Sequence, residues 1–277
     1  MNDKIKSLKD VRKAREKTNT DFPGWDALEE EANQDGPEVL LIIKDKNGDL
    51  VNTVRGTNKK GFSRISWPLT YASKRPERLQ DQTSGRFFGR GGMRVTPGTY
   101  SVTLVKRVDG KTTVLAGPQS FDVIPMYDGA LPRKSFEEMN AFRLEVNAFT
   151  EDLTATNMVL SNSIRTINAM KRAAVKADKS NEAVLVKINN VRLQLQKINK
   201  TMNGHPIKGE IGERSDPTPN SAGRVGGMAF SNTYGPTGNH KAALQRAKDQ
   251  LVGIKAEIKK MVDNVLPQLE KELKAIG

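Results

Sequence analysis

The apolar positions of this chain change period near Pro125, from alternation and short runs before it to steps of three and four after it. EVLLIIK (38–44) is apolar on both faces from Val39 to Ile43, the pattern of a strand covered on both sides. Asn47-Gly48, a strong hairpin signal, joins it to DLVNTVR (49–55). In FSRISW (62–67), Ile65 and Trp67 share a side, and Pro68 ends ladder pairing. Thr99 to Arg107 alternates, with Tyr100, Val102 and Leu104 on one side. Asp109-Gly110 predicts a second hairpin into KTTVLA (111–116), and QSFDVI (119–124) adds Phe121 and Val123. Six short strands with turn signals between them predict an antiparallel β-sandwich of immunoglobulin or fibronectin type III kind over 36–126. Its expected core is Ile42, Ile65, Trp67, Tyr100, Val102 and Phe121.

Beyond Pro125 three segments read as long helices. The first carries Met139, Phe142, Val146, Phe149, Leu153, Leu160, Ile164 and Ile167 at near-heptad spacing. The second carries Val184, Ile188, Val191, Leu195, Ile198 and Met202. The third starts near His240 and carries Leu244, Ala247, Leu251, Ile254, Ile258, Met261, Val265, Leu269, Leu273 and Ile276. A sustained repeat near 3.5 residues predicts supercoiled packing, and three such helices most simply form an antiparallel three-helix bundle over 127–277. The first connection, around Lys179-Ser180, is short; the second, 203–239, is long and rich in Gly, Pro, Ser and Asn, and reads as a loop. Ahead of the sandwich, 1–35 reads as a helix fragment, a Pro23-Gly24 turn with Trp25 packed, and a short acidic helix closed by Gly36. The fold class is therefore mixed, all-β and then all-α.

At 277 residues the chain is long enough for two domains with separate cores. No run approaches the ~20 apolar residues that span a bilayer. The first thirty residues are charged throughout and contain no signal peptide, so the chain as given is expected to stay in the cytoplasm if it is free-standing. With no cysteine, disulfides, thiolate metal sites and a cysteine nucleophile are excluded, although the compartment is not decided.

The net charge of +13 is uneven: Lys+Arg against Asp+Glu is 7 to 9 over 1–35, 15 to 7 over 36–126 and 23 to 16 over 127–277. Much of the sandwich excess lies in KRPERLQDQTSGRFFGRGGMR (74–94), where Lys74, Arg75, Arg78, Arg86, Arg90 and Arg94 face only Glu77 and Asp81. Such a loop is a candidate anion-binding site for an acidic polysaccharide, a membrane surface or nucleic acid. Against this stands a solvated inter-strand loop, since RNA-binding signatures are missing and Phe87 and Phe88 serve equally well as anchors.

Other chemistry is weaker. Glycoside hydrolysis needs two carboxylates across a sugar ring, whereas Glu137, Glu138 and Glu145 have the spacing of a solvated helix face. His205 and His240 flank the long connection, with Glu213 and Asp216 between them, but their spacing fits caps better than a metal site. GRGG (89–92) lacks the following Lys-Ser/Thr of a phosphate loop. In ERSDPTPN (213–220), Pro217 and Pro219 stiffen the backbone, and Arg214, Asp216 and Arg224 are expected to lock the segment onto the bundle by charge-assisted bonds. Asn199-Lys200-Thr201 matches a glycosylation pattern inside a helix. No catalytic, metal or cofactor residue is assigned.

GDLVNTVRG, GFSRISWPL, VTPGTYSVTL and SFDVIP, in that order, followed by ERSDPTPNSAGRVGGMAFSNTYGPTGNHKAAL (213–244), resemble the region after the β-propeller in large bacterial sortilin-like proteins with BNR repeats, often labelled glycosyl hydrolases. The resemblance implies an immunoglobulin-like domain plus helices at the C-terminal end of a larger exported protein. The propeller and the sandwich's first strand would lie upstream, and the module would support the propeller in cis or in trans. Any glycosidase chemistry would belong to the propeller, so the label carries no catalytic residue onto this chain. The expected role is a non-catalytic structural or interaction module, with oligomeric state left open. The alternatives are anionic-polymer binding through 74–94 and, by family label only, a glycosyl hydrolase.

Overall fold

The structure is a computed structural model that describes residues 6–16, 21–59, 61–73, 92–126, 132–177, 182–213, 217–232 and 234–275. These fall into two compact units, one reaching Asp128 and the other following it. The first holds a four-stranded antiparallel sheet and the second is helical.

The sheet contains β1 (Glu38–Asp45), β2 (Leu50–Arg55), β3 (Gly98–Val108) and β4 (Lys111–Val123) in the order β2-β1-β3-β4. Both predicted hairpins form. Asp109 and Gly110, at φ 48° and 73°, make the two-residue turn between β3 and β4 that needs positive φ at both positions. At the β1–β2 turn Asp45 accepts the amides of Asn47 and Asp49 on its carboxylate, and its carbonyl accepts Gly48 N–H. The predicted strands 111–116 and 119–124 are one strand, because β4 lies at an edge and Pro118 can sit there without removing an inner ladder bond.

FSRISW forms no strand. Its Trp67 sits edge-on to Tyr100 and Phe121, at 5.7 and 6.0 Å between ring centres. The cluster it joins is Ile43, Val51, Val95 and Tyr100. Ile43, not Ile42, is the β1 residue there, because Ile43 stands opposite Val102. Five apolar residues in a row gave β1 no period from which to tell its faces apart.

Ahead of the sheet, α1 (Leu8–Glu16) and α2 (Trp25–Asn33) are tied by Arg12, which forks onto Glu31 at 2.7 and 3.0 Å. Asp35 N–H donates to the Asp109 carboxylate at 2.9 Å, fixing the end of this pair to the β3–β4 turn. Trp25 is not packed as expected: it is 78% exposed and touches Phe22 edge-on, and α2 ends at Asn33, short of Gly36.

The helical unit has α3 (Phe136–Lys176), α4 (Glu182–Asn203), α5 (Pro206–Glu210), α6 (Pro219–Gly227), α7 (Gly238–Lys260) and α8 (Leu266–Lys274). All six heptad residues of α4 are buried, as are Leu244 through Met261 on the predicted third helix at its expected positions. On α3 the buried row keeps alternating steps of four and three without a break from Phe142 to Ala174, and that register buries Ser163 where Ile164 was expected; the Ser163 hydroxyl donates to the Val159 carbonyl and is thereby satisfied. Between α7 and α8 one wide π turn, Met261–Val265, precedes Pro267. Proline has no N–H for the carbonyl four residues back and clashes with it, so the helix widens and the buried row steps from Met261 to Leu266, not to Val265.

Glu138, Glu145 and Asp152 of α3 pair with Lys241, Lys248 and Lys255 of α7, always 103 residues on, so these helices run in the same direction. α4 runs against both: Lys187 near its start meets Glu272 of α8, and Asn203 at its end meets Asn157 midway along α3. At 22 residues α4 covers only the second half of the 41-residue α3. The first half is covered by the long connection, which is helical where a loop was predicted.

Candidate functional site

Two places carry chemistry singled out in the sequence: the root of the basic stretch on the sheet, and the segment that follows α4.

At the root, Leu69–Tyr71 and Met93–Val95 pair antiparallel. Tyr71 N–H donates to the Met93 carbonyl at 2.9 Å and Val95 N–H to the Leu69 carbonyl at 2.8 Å, with Thr70 opposite Arg94. The Thr70 carbonyl also accepts Trp67 Nε1–H at 2.9 Å and Asn52 Nδ2–H at 2.7 Å. Ala72 N–H donates to Val51, so the pair is fixed to the outer edge of β2. Gly92 is required here, since a Cβ would stand 2.0 Å from the Tyr71 carbonyl oxygen. The chain that leads into the basic stretch, at Leu69–Ala72, and the end of the stretch, at Met93–Arg94, are thus held on one small platform. Arg94 is exposed on it; Lys74, Arg75, Arg78, Arg86 and Arg90 lie outside the described residues.

Two of the three residues expected to lock the long connection, Arg214 and Asp216, lie outside the described residues, and Arg224 is exposed on α6. Among the described residues, caps, amide hydrogen bonds and close glycine contacts hold the segment. Thr218 caps α6 in a reciprocal box with Ser221. Asn203 donates to Asn157 at 3.0 Å and accepts from Asn220 at 3.2 Å, joining α3, α4 and the start of α6. Gln250 of α7 donates to the Pro217 carbonyl at 3.1 Å. Glycines then bring the α6 backbone down onto its neighbours: a Cβ at Gly223 would lie 2.3 Å from the Phe149 ring, and one at Gly226 would lie 3.1 Å from Leu244 Cβ. Past α6, Phe230 packs on Phe142 at 5.9 Å, with the buried Arg143 guanidinium over its face at 5.4 Å. The sequence displayed these small residues, but glycine reads as a breaker until a neighbouring ring is known to press on it.

His240 completes the cap of α7, its Nδ1 accepting Thr237 N–H at 3.1 Å, and His205 precedes Pro206 at the start of α5. Among the described residues no group of three His, Asp or Glu could hold a metal ion. Glu138 pairs with Lys241 and Lys134, and Glu145 with Lys248. The hydrogen bond from Lys241, helped by the charge of Lys134, holds the Glu138 carboxyl below its ordinary range. Asn199 is part of α4, and its amide oxygen accepts from Asn203 at 2.8 Å.

The acidic row on α3 had a sequence sign that the reading above missed. EMNAFRL (138–144) and EVNAFTE (145–151) are tandem heptads, continued by Asp152 and Ala155, and lysines recur at 241, 248 and 255 with the same spacing. Recurrence alone named the residues; that the rows face each other required the two helices to be parallel neighbours.

No protein family model matches this chain, and neither a curated protein nor a solved structure does. No helix among the described residues is long and apolar enough to cross a membrane.

Proposed function

We propose that this chain is a non-catalytic scaffold: an immunoglobulin-like sandwich followed by an up-down-up three-helix bundle, forming the C-terminal part of an exported sortilin-like propeller protein and bracing its propeller. The observation that carries the scaffolding role is how the polar residues are used. Glu138, Glu145 and Asp152 of α3 stand in ion pairs with lysines, and His240 caps a helix. In the sandwich reading, the segments around Trp67 and Val95 supply the second layer over β1 and β3. In the bundle reading, α6 takes over from α4 as the antiparallel wall. The family assignment rests on the five sequence segments and their order.

An immunoblot of the source cells and medium with an antibody against residues 132–275 tests the assignment. A band far above 30.6 kDa is expected. A band at that mass would leave a free-standing module and remove the propeller from the reading.

A second reading, anionic-polymer binding, is favoured by the platform that joins the chain leading into the basic stretch to the end of that stretch. Retention on heparin at low salt that is lost at moderate salt, and lost on changing Arg86, Arg90 and Arg94 together to Ser, is its expected behaviour. No retention at low salt would refute it.

A further inference from the structure

We propose that the outward seam between α3 and α7 is a homodimer interface in which two copies of this chain pack in parallel about a two-fold axis along the seam. The seam is a shallow groove whose walls are the paired rows Glu138, Glu145, Asp152 and Lys241, Lys248, Lys255. Its lining includes Ala141, Ala148 and Ala242, all exposed, so a second helix can approach closely. The apolar positions go on beyond what the unit's own core uses. Leu144 is 54% exposed on α3 beside Ala141 and Ala148, and Val252 is 71% exposed in the lining of the groove. The core row of α3 is separate, comprising Phe142, Val146, Phe149 and Leu153. The helix therefore carries a second, alanine-rich row at heptad spacing.

Charge selects the occupant and its direction. An axis along the groove carries α3 of one copy over α7 of the other, both pointing the same way, and sets each acidic row against the other copy's lysine row at the same level. An axis across the groove would lay acid on acid and lysine on lysine, which is unfavourable. A surface of this kind complements itself in one orientation only, and that makes a second copy the fitting partner. Helix packing over Glu138 to Val159 spans about 33 Å, and two helices side by side are about 20 Å wide. The patch is then roughly 650 Å² per copy, at the lower end for specific association, so the dimer is expected to be reversible and concentration-dependent.

Analytical ultracentrifugation of the full chain from about 1 µM to about 1 mM at low salt tests this. The mass is expected to rise from 30.6 kDa towards twice that value. Ala148→Arg is exposed on α3, so it should leave the helical melt unchanged while weakening dimerisation at least about tenfold. The chain has no cysteine, so single spin labels can be placed at Arg246→Cys or at Gly253→Cys, seven residues apart on α7; both positions are exposed, and a Cβ at Gly253 meets nothing within 4 Å. A parallel pair gives equal distances between copies at the two positions, whereas an antiparallel pair gives distances differing by up to about 20 Å. A chain that stays monomeric, a dimer indifferent to Ala148→Arg, or unequal label distances would each overturn the proposal.

Discussion

Gly92 and Gly223 both stand where no side chain fits, and they fail differently. At Gly92 the obstacle is backbone, the Tyr71 carbonyl at 2.0 Å, so the Leu69–Tyr71 and Met93–Val95 pairing must part to admit a methyl group. At Gly223 it is the Phe149 ring at 2.3 Å, which can tilt at a cost. Gly223→Ala is expected to destabilise the helical unit by about 1–3 kcal/mol, read from the denaturant midpoint, and pairing it with Phe149→Leu should recover part of the loss. Glu138 provides a pH signature. Its folded pKa is depressed, first by the Lys241 hydrogen bond, so its contribution is present above the ordinary glutamate value and is lost as pH falls through the lower folded one. Glu138→Gln should therefore flatten the fall in melting temperature between about pH 5 and pH 3, and an unchanged slope would show that the pair does not contribute.

At the scale of elements, the heptad pattern and the structure disagree in a way that mutation can read. A regular helix past Ile258 would bury Val265, whereas the π turn before Pro267 buries Leu266 and leaves Val265 half-buried. Leu266→Ala is expected to cost about 2–5 kcal/mol and Val265→Ala about 1 kcal/mol or less; the reverse order would mean that the helix runs regularly through Pro267. The connection 203–239 teaches the complementary lesson. PNSAGRVGG has poor helix propensity, yet it is helical because Thr218 caps its start and its glycines are the residues that fit against Phe149 and Leu244. Tertiary contact there outweighs propensity, and Thr218→Ala should cost about 1 kcal/mol through loss of the cap.

The whole molecule is a sheet unit and a helical unit with separate cores, which gives each its own expected cooperativity. A fragment of residues 132–277 should be helical by circular dichroism and melt cooperatively within a few degrees of the helical transition of the full chain. A fragment that is unfolded or melts without cooperativity would show that the helical core is incomplete by itself.

The sequence by itself determined the order of β before α, both hairpins, the buried row of α4 and most of α7. These follow from local rules: positive φ in tight turns, and period matched to one buried face. Only the tertiary structure decided which face of β1 is inner, because five consecutive apolar residues carry no period. It likewise decided that FSRISW lies over the sheet outside its ladder, since apolar alternation shows which side is buried but not where the backbone hydrogen bonds go. The helical state of the glycine-rich connection and the facing of the acidic and lysine rows needed it as well. Each depends on a neighbour distant in the chain, Phe149 for Gly223 and Lys241 for Glu138, and residue type alone does not say which distant segment arrives.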